Sequence, residues 1–421
     1  MRFGKILSVV GVLLAVSLSA GGQGTNTATA ARSSRKAPPV KKLTLEQKFV
    51  FDTVNMAVAL PQPDPQDRLR VLATAASVIS PIDQKIARTL WHEGVRIESE
   101  LIQVGKTPAV SLMANGQADC EAAQSFVENL SENSVVAAEQ SLIGAVTSCR
   151  KQTLEVVARK LDAALQKSIV ASRALMATME AEGAKSAWSQ KHFEQMFSSL
   201  PDPRENASEA ENFAVMYARM SGEVEKEGAR DAGLRLLEWL GKLDDSGLRT
   251  LAINISVGAM KQALGEKDFQ DALSSNLMAS SAVRSAQNGA PGQVERPPLE
   301  SVSVLEAMKE NGADHTDRIR DLPASERARE AAAHGFAAGT SGDKQQAKKY
   351  FDMAFAAVDE VWDARTPEQN TAAVVEEVSE AAAEVDSVNA LARAQALRDP
   401  SAQAIAMLAV ARVVAGSGIA R

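Results

Sequence analysis

The sequence predicts an all-α fold, an α-solenoid of stacked antiparallel helical hairpins in two arrays, and three observations carry that expectation. Hydrophobic residues make up 45% of the 421 residues but aromatics only 4%, so the core must be built from Ala, Leu, Val and Met, which suits closely packed helices. Helical periodicity recurs along the chain, and no run of alternating β-branched residues is bounded by hairpin turns. Helix starts are repeatedly marked by a capping residue followed by proline, at Asp64-Pro65, Ser80-Pro81, Thr107-Pro108, Asp202-Pro203, Thr366-Pro367 and Asp399-Pro400. At such a start the side-chain oxygen accepts from an unpaired amide of the first turn. Proline presets φ and lacks an amide that would have had no partner.

Residues 1–20 carry Arg2 and Lys5, then an apolar stretch from Ile6 to Leu18, and end in Ser19-Ala20. This is the pattern of a secretory signal peptide, and a cut after Ser19 places Ser17 and Ser19 at the positions that require small residues. The apolar stretch is shorter than the ~20 residues of a membrane span, so no transmembrane segment is expected after cleavage. No Cys lies near the cut, so a lipid anchor is not indicated. Residues 21–42, rich in Gly, Thr, Ala and Ser before Arg32, Arg35, Lys36, Lys41 and Lys42, read as a disordered basic linker. Setting these five and the two leader charges aside takes the formal charge from −7 to −14, and so acidic a body argues against nucleic acid as a partner.

Only Cys120 and Cys149 occur. Asp119 can cap a helix running to about Leu130, Ser131-Glu132-Asn133 makes a turn, and Ser134 can cap a return helix ending near Cys149. Both cysteines then fall at the open end of one hairpin, where a disulfide would stabilise by about 3–4 kcal/mol on the chain-entropy account. A bridge in turn suits an exported protein, periplasmic or secreted.

In the body, Pro65 and Pro81 bound a helix of about four turns. Between Gly233 and Leu243, Leu234, Leu237, Leu240 and Gly241 share a face beside Leu236 and Trp239, with Glu238 and Lys242 pointing outward. The Ala-rich stretches Val71–Val78 and Met407–Val414 follow their Asp-Pro starts with a one-residue offset, as related units of a degenerate repeat would. Residues 285–298, with Asn288-Gly289, Pro291-Gly292 and Pro297-Pro298, read as a linker between an N-terminal array over 43–284 and a C-terminal array over 299–421.

Within the second array Gly335, Gly342-Asp343, Ala347, Phe351 and Ala354 stand at spacings that two packed helices require. Over 331–354 the chain resembles one tetratricopeptide unit. The resemblance implies that Gly335 lets the second helix approach, that Gly342-Asp343 forms the turn, that Ala347 makes the close helix contact, and that Phe351 and Ala354 face inward. Ala331, His334 and Ala338 depart from the family's Trp, Leu and Tyr, and Asp359 stands where Pro is frequent, so the unit matches in part; the resemblance makes the C-terminal array tetratricopeptide-like, with looser helical hairpins expected elsewhere.

Motifs for chemistry are absent. Gly105-Lys106-Thr107 resembles the end of a nucleotide-binding loop, but Glu100 stands where its first glycine belongs. His92, His192, His315 and His334 form no i, i+3 or i+4 pair, which leaves no helical zinc site, and no Gly-x-Ser-x-Gly elbow occurs. No cofactor or metal is expected. Glu376, Glu377, Glu380 and Glu384 form an acidic stripe opposite Val374, Val378, Ala381 and Val385, without i+4 lysines to neutralise it. It is either a solvated outer face or a contact for a basic partner or a divalent cation. The expected function is binding of a protein or peptide partner without intrinsic catalysis. The alternatives are a glycan-acting cell-envelope enzyme, which would need two facing carboxylates, and a structural spacer. Trp91, Trp188, Trp239, Trp362, Tyr217 and Tyr350 are too dispersed to suggest a sugar platform.

Overall fold

A computed structural model describes residues 43–113, 119–167, 169–244, 246–288, 315–366 and 370–419. The signal peptide and basic linker expected over 1–42 lie outside the described residues. Among those described there are eighteen α-helices and no strand. In chain order they are α1 (Leu45–Ala59), α2 (Pro65–Ile79), α3 (Gln84–Gln103), α4 (Cys120–Asn129), α5 (Glu139–Ser148) and α6 (Arg150–Gln166). Then come α7 (Ser172–Glu182), α8 (Ala187–Ser198), α9 (Ala210–Met220), α10 (Lys226–Gly241), α11 (Gly247–Leu264), α12 (Glu266–Ser274) and α13 (Leu277–Asn288). The remainder are α14 (Thr316–Arg320), α15 (Ala324–Thr340), α16 (Lys344–Asp363), α17 (Thr371–Gln395) and α18 (Pro400–Ile419).

Side-chain caps set many of the starts. Thr44 and Gln47 form a reciprocal capping box at α1, and Asp64, Asp83, Asp119, Ser186, Ser246 and Asp343 accept first-turn amides of α2, α3, α4, α8, α11 and α16. Of the proline-marked starts, Asp64-Pro65 and Asp399-Pro400 hold: Asp399 accepts from the amides of Ser401 and Ala402 at 2.7 and 3.2 Å. At Ser80-Pro81 and Asp202-Pro203 the dipeptide enters a turn instead. Ser80 closes α2 and α3 begins only after Asp83, Thr107-Pro108 lies in an irregular segment, and Asp202-Pro203 precedes α9 by several residues. A capping side chain before a preset φ serves a turn as well as a helix, and the two differ only in the residues after the proline. Pro367 lies outside the described residues, and α17 starts after Asn370.

α17 is broken at Asp386, whose φ of −158° and ψ of 96° leave the helical region. Its carboxylate accepts from the Asn389 backbone amide at 3.0 Å, capping the helix that resumes, and that bond holds the Asp386 carboxyl below the usual range. The expected stripe on α10 is buried, with Leu236, Leu237 and Leu240 inaccessible and Trp239 donating to the Pro201 carbonyl at 2.5 Å.

Helices pack chiefly on near neighbours in the chain: α2 on α3, α9 and α10 on α11, α15 on α16, and α17 on α18. One packing is not local. α18, the last helix, lies against α1 and α2, the first two, so helices before and after the segment 289–314 share one buried cluster from Val50 to Ala411. The two Ala-rich helices with Asp-Pro starts, α2 and α18, therefore touch. Small side chains permit this, since Ala73, Ala75 and Ala76 of α2 and Ala402, Ala406 and Ala409 of α18 are all buried. No helix among the described residues is long and apolar enough to cross a membrane.

Candidate functional site

The hairpin of α15 and α16 contains every residue of the repeat-like unit. Its turn depends on Gly342, whose φ of 91° is one that a side chain would strain, and Asp343 caps α16 by accepting from the Gln346 amide at 3.0 Å. A Cβ on Gly335 would stand 3.0 Å from the Phe351 ring, so the missing side chain is what lets that ring lie against α15. Ala347, Phe351 and Ala354 are buried, as are Ala331 and Ala338, where the family has large aromatics. His334 is buried too, its ring 4.8 Å from that of His315 and 5.3 Å from that of Tyr350. His315 and His334 thus meet in space although their spacing along the chain gave no hint of it. No group of His, Cys, Asp and Glu side chains suited to a metal ion occurs among the described residues.

The acidic stripe on α17 is met by arginines from other helices. Glu376 lies 3.3 Å from Arg412 of α18 and 3.8 Å from Arg70 of α2, Glu380 accepts from Arg412 Nε at 2.6 Å, and Glu377 pairs with Arg329 of α15 at 2.7 Å. Partial burial opposes the Arg412 charge, but Glu380 and Glu376 outweigh it and raise the guanidinium pKa above its ordinary value. Glu384 is exposed. Local i+4 spacing misses such partners because the neutralising charges come from adjacent helices.

Cys120 and Cys149 form a disulfide with Cα atoms 5.3 Å apart. Asp119 caps α4 as expected, accepting from Glu121 and Ala122. The return helix differs. Ser134 belongs to a short 3-10 turn and shares a hydroxyl contact with Ser131 at 2.7 Å, while α5 begins only at Glu139. Cys149 sits between α5 and α6, and the bridge ties the start of α4 to that junction.

Two recesses lie at the surface of the described residues. Ser80, Gln84, Ala87, Arg88, Trp91 and Asp119 line one of about 190 Å³ beside α3. A second, of about 470 Å³, lies between α10, α11 and α12, where Lys226 of one wall pairs with Asp268 of the other above Leu264 and Ala272. Glu98 on α3 is an ionisable group that is wholly buried and that no sequence motif marked. Its carboxyl accepts from the Ser141 hydroxyl at 2.5 Å and the Leu112 amide at 3.2 Å, and burial pushes its pKa up. His192, also buried, places Nε2 2.5 Å from Asp162 while Nδ1 lies 2.7 Å from the Trp188 carbonyl, which binds α8 to α6.

No protein-family model, no curated protein and no solved structure matches the chain.

Proposed function

We propose that this is an exported helical-repeat protein, its hairpins stacked as a solenoid, that binds a protein or peptide partner on its helical surface and carries no catalysis of its own. The observation that carries the reading is the α15–α16 hairpin, in which Gly335 admits Phe351 and Gly342 turns the chain, the packing that a tetratricopeptide-like unit needs. Packing of most helices on near neighbours is what a stacked array uses, and such arrays present extended surfaces rather than enclosed active sites. The disulfide supports export, because an oxidising compartment is where such bonds persist.

The test is a scan of photo-crosslinking residues over exposed positions on separate helices, among them Leu251 and Val388, in the protein's own envelope fraction. Binding predicts one specific adduct confined to contiguous positions and displaced by excess unlabelled protein. A scan without any displaceable adduct overturns the binding role and leaves a spacer.

A further inference from the structure

Residues 104–113 leave α3 through the turn at Gly105 and lie back over it. Gln66 of α2 holds one end, donating to the Thr107 carbonyl at 2.9 Å and accepting from the Ala109 amide at 2.7 Å. At the other end Leu112 and Met113 are wholly buried. The Leu112 side chain fills the space a Cβ on Gly94 would need, and its carbonyl accepts from the Trp91 indole at 3.2 Å. Its amide donates to Glu98.

We propose that residues 104–113 are a pH-responsive strap, latched on α3 through Glu98 in its uncharged form and loosened as that side chain ionises. The groups that act on Glu98 are the hydroxyls of Ser141 and Ser111 and the amide of Leu112, none of them a cation. The charged side chains of the elements packed around it are either exposed, as are Lys85 and Arg88 of α3 and Lys106 of residues 104–113, or bound elsewhere. On α2, Asp67 pairs with Arg365, Arg68 with Glu93 of α3, and Arg70 with Glu376. On α3 itself, Arg96 pairs with Glu100 and His92 lies 3.8 Å from Asp119, and on α5 Glu139 pairs with Arg173. A carboxylate in that setting has hydrogen-bond donors but no counter-charge, so its ionised form gains by reaching water.

The direction follows from linkage. Burial raises the carboxyl in the latched state above its ordinary value of 4.5, so the latched state binds the extra proton and is favoured as pH falls. Latching weakens as pH rises from 4.5 toward the raised value and is constant beyond it. Loosening frees the Trp91 indole and uncovers Gly94, and Trp91 is also a wall of the 190 Å³ recess, so the strap controls how far that recess extends.

Hydrogen exchange on the disulfide-intact chain tests this, with rates corrected for the intrinsic pH dependence of exchange. Protection of amides 109–113 is expected to fall by about tenfold between pH 5 and pH 8, while core amides of α3 keep theirs. In Glu98→Gln the fall should vanish. Should that variant misfold, Ser141→Ala serves, because losing a bond that lowers the pKa moves the midpoint to higher pH. Strap protection independent of pH, an unchanged fall in Glu98→Gln, or parallel loss throughout α3 overturns the proposal.

Discussion

Arg365 places its guanidinium 2.9 Å from the carboxylate of Asp67, across 298 residues of sequence. The arginine, just beyond α16, also lies over the Trp362 ring at 4.1 Å, while Asp67 stands in the first turn of α2. The pair thus clasps the last helices onto the first, beside the packing of α18 on α1 and α2. Burial nevertheless holds the Asp67 carboxyl above its ordinary value, so Arg365 offsets only part of the desolvation.

Arg365→Ala should cost about 1–3 kcal/mol at pH 7, because it leaves a largely buried carboxylate without its cation. A raised acid pKa destabilises the fold as pH climbs through it, so the loss should be smaller at pH 4 than at pH 7. Urea unfolding at the two pH values checks this, and an equal loss at both would show that the arginine acts through Trp362 packing instead.

Gly335→Val should destabilise by about 1–3 kcal/mol, since the branched side chain must displace the buried Phe351 ring. Pairing it with Phe351→Leu should recover part of the loss in thermal unfolding, as a shared packing site requires. Simple addition of the two single effects would mean that the contact is not the cause.

Replacing Cys120 and Cys149 together by Ala should lower stability by about 2–4 kcal/mol, and reductant should then have no further effect. Thermal unfolding of both proteins with and without dithiothreitol measures it.

Glu376→Arg sets three arginines together at the junction of α2, α17 and α18 and should destabilise by about 1–3 kcal/mol. Glu384→Lys, at an exposed position, should change stability by less than about 0.5 kcal/mol. Partner binding that responds to the second substitution but not to the first would place any contact at the Glu384 end of the stripe.

Much of the helical character was legible because it is local. Ala-rich periodicity, the Asp64-Pro65 and Asp399-Pro400 starts and the Gly342 turn each act within a few residues, and the structure has helices and a positive φ where they imply them. The disulfide was legible for a similar reason, since Asp119 fixes the start of α4 and so the position of Cys120. Ser134 and Ser80-Pro81 misled, because capping residues read the same at a turn and at a helix start.

By itself the sequence determined the all-helical class, the cysteine bridge and the small-residue core, all consequences of backbone preference, capping and side-chain volume acting at short range. Only the tertiary structure decided that α18 closes on α1 and α2, that Arg365 finds Asp67, that arginines of three helices meet the α17 carboxylates, and that Glu98 lies beneath residues 104–113. Those depend on which helix faces meet, and many Ala-rich faces are nearly equivalent until the whole chain has buried its apolar surface at once.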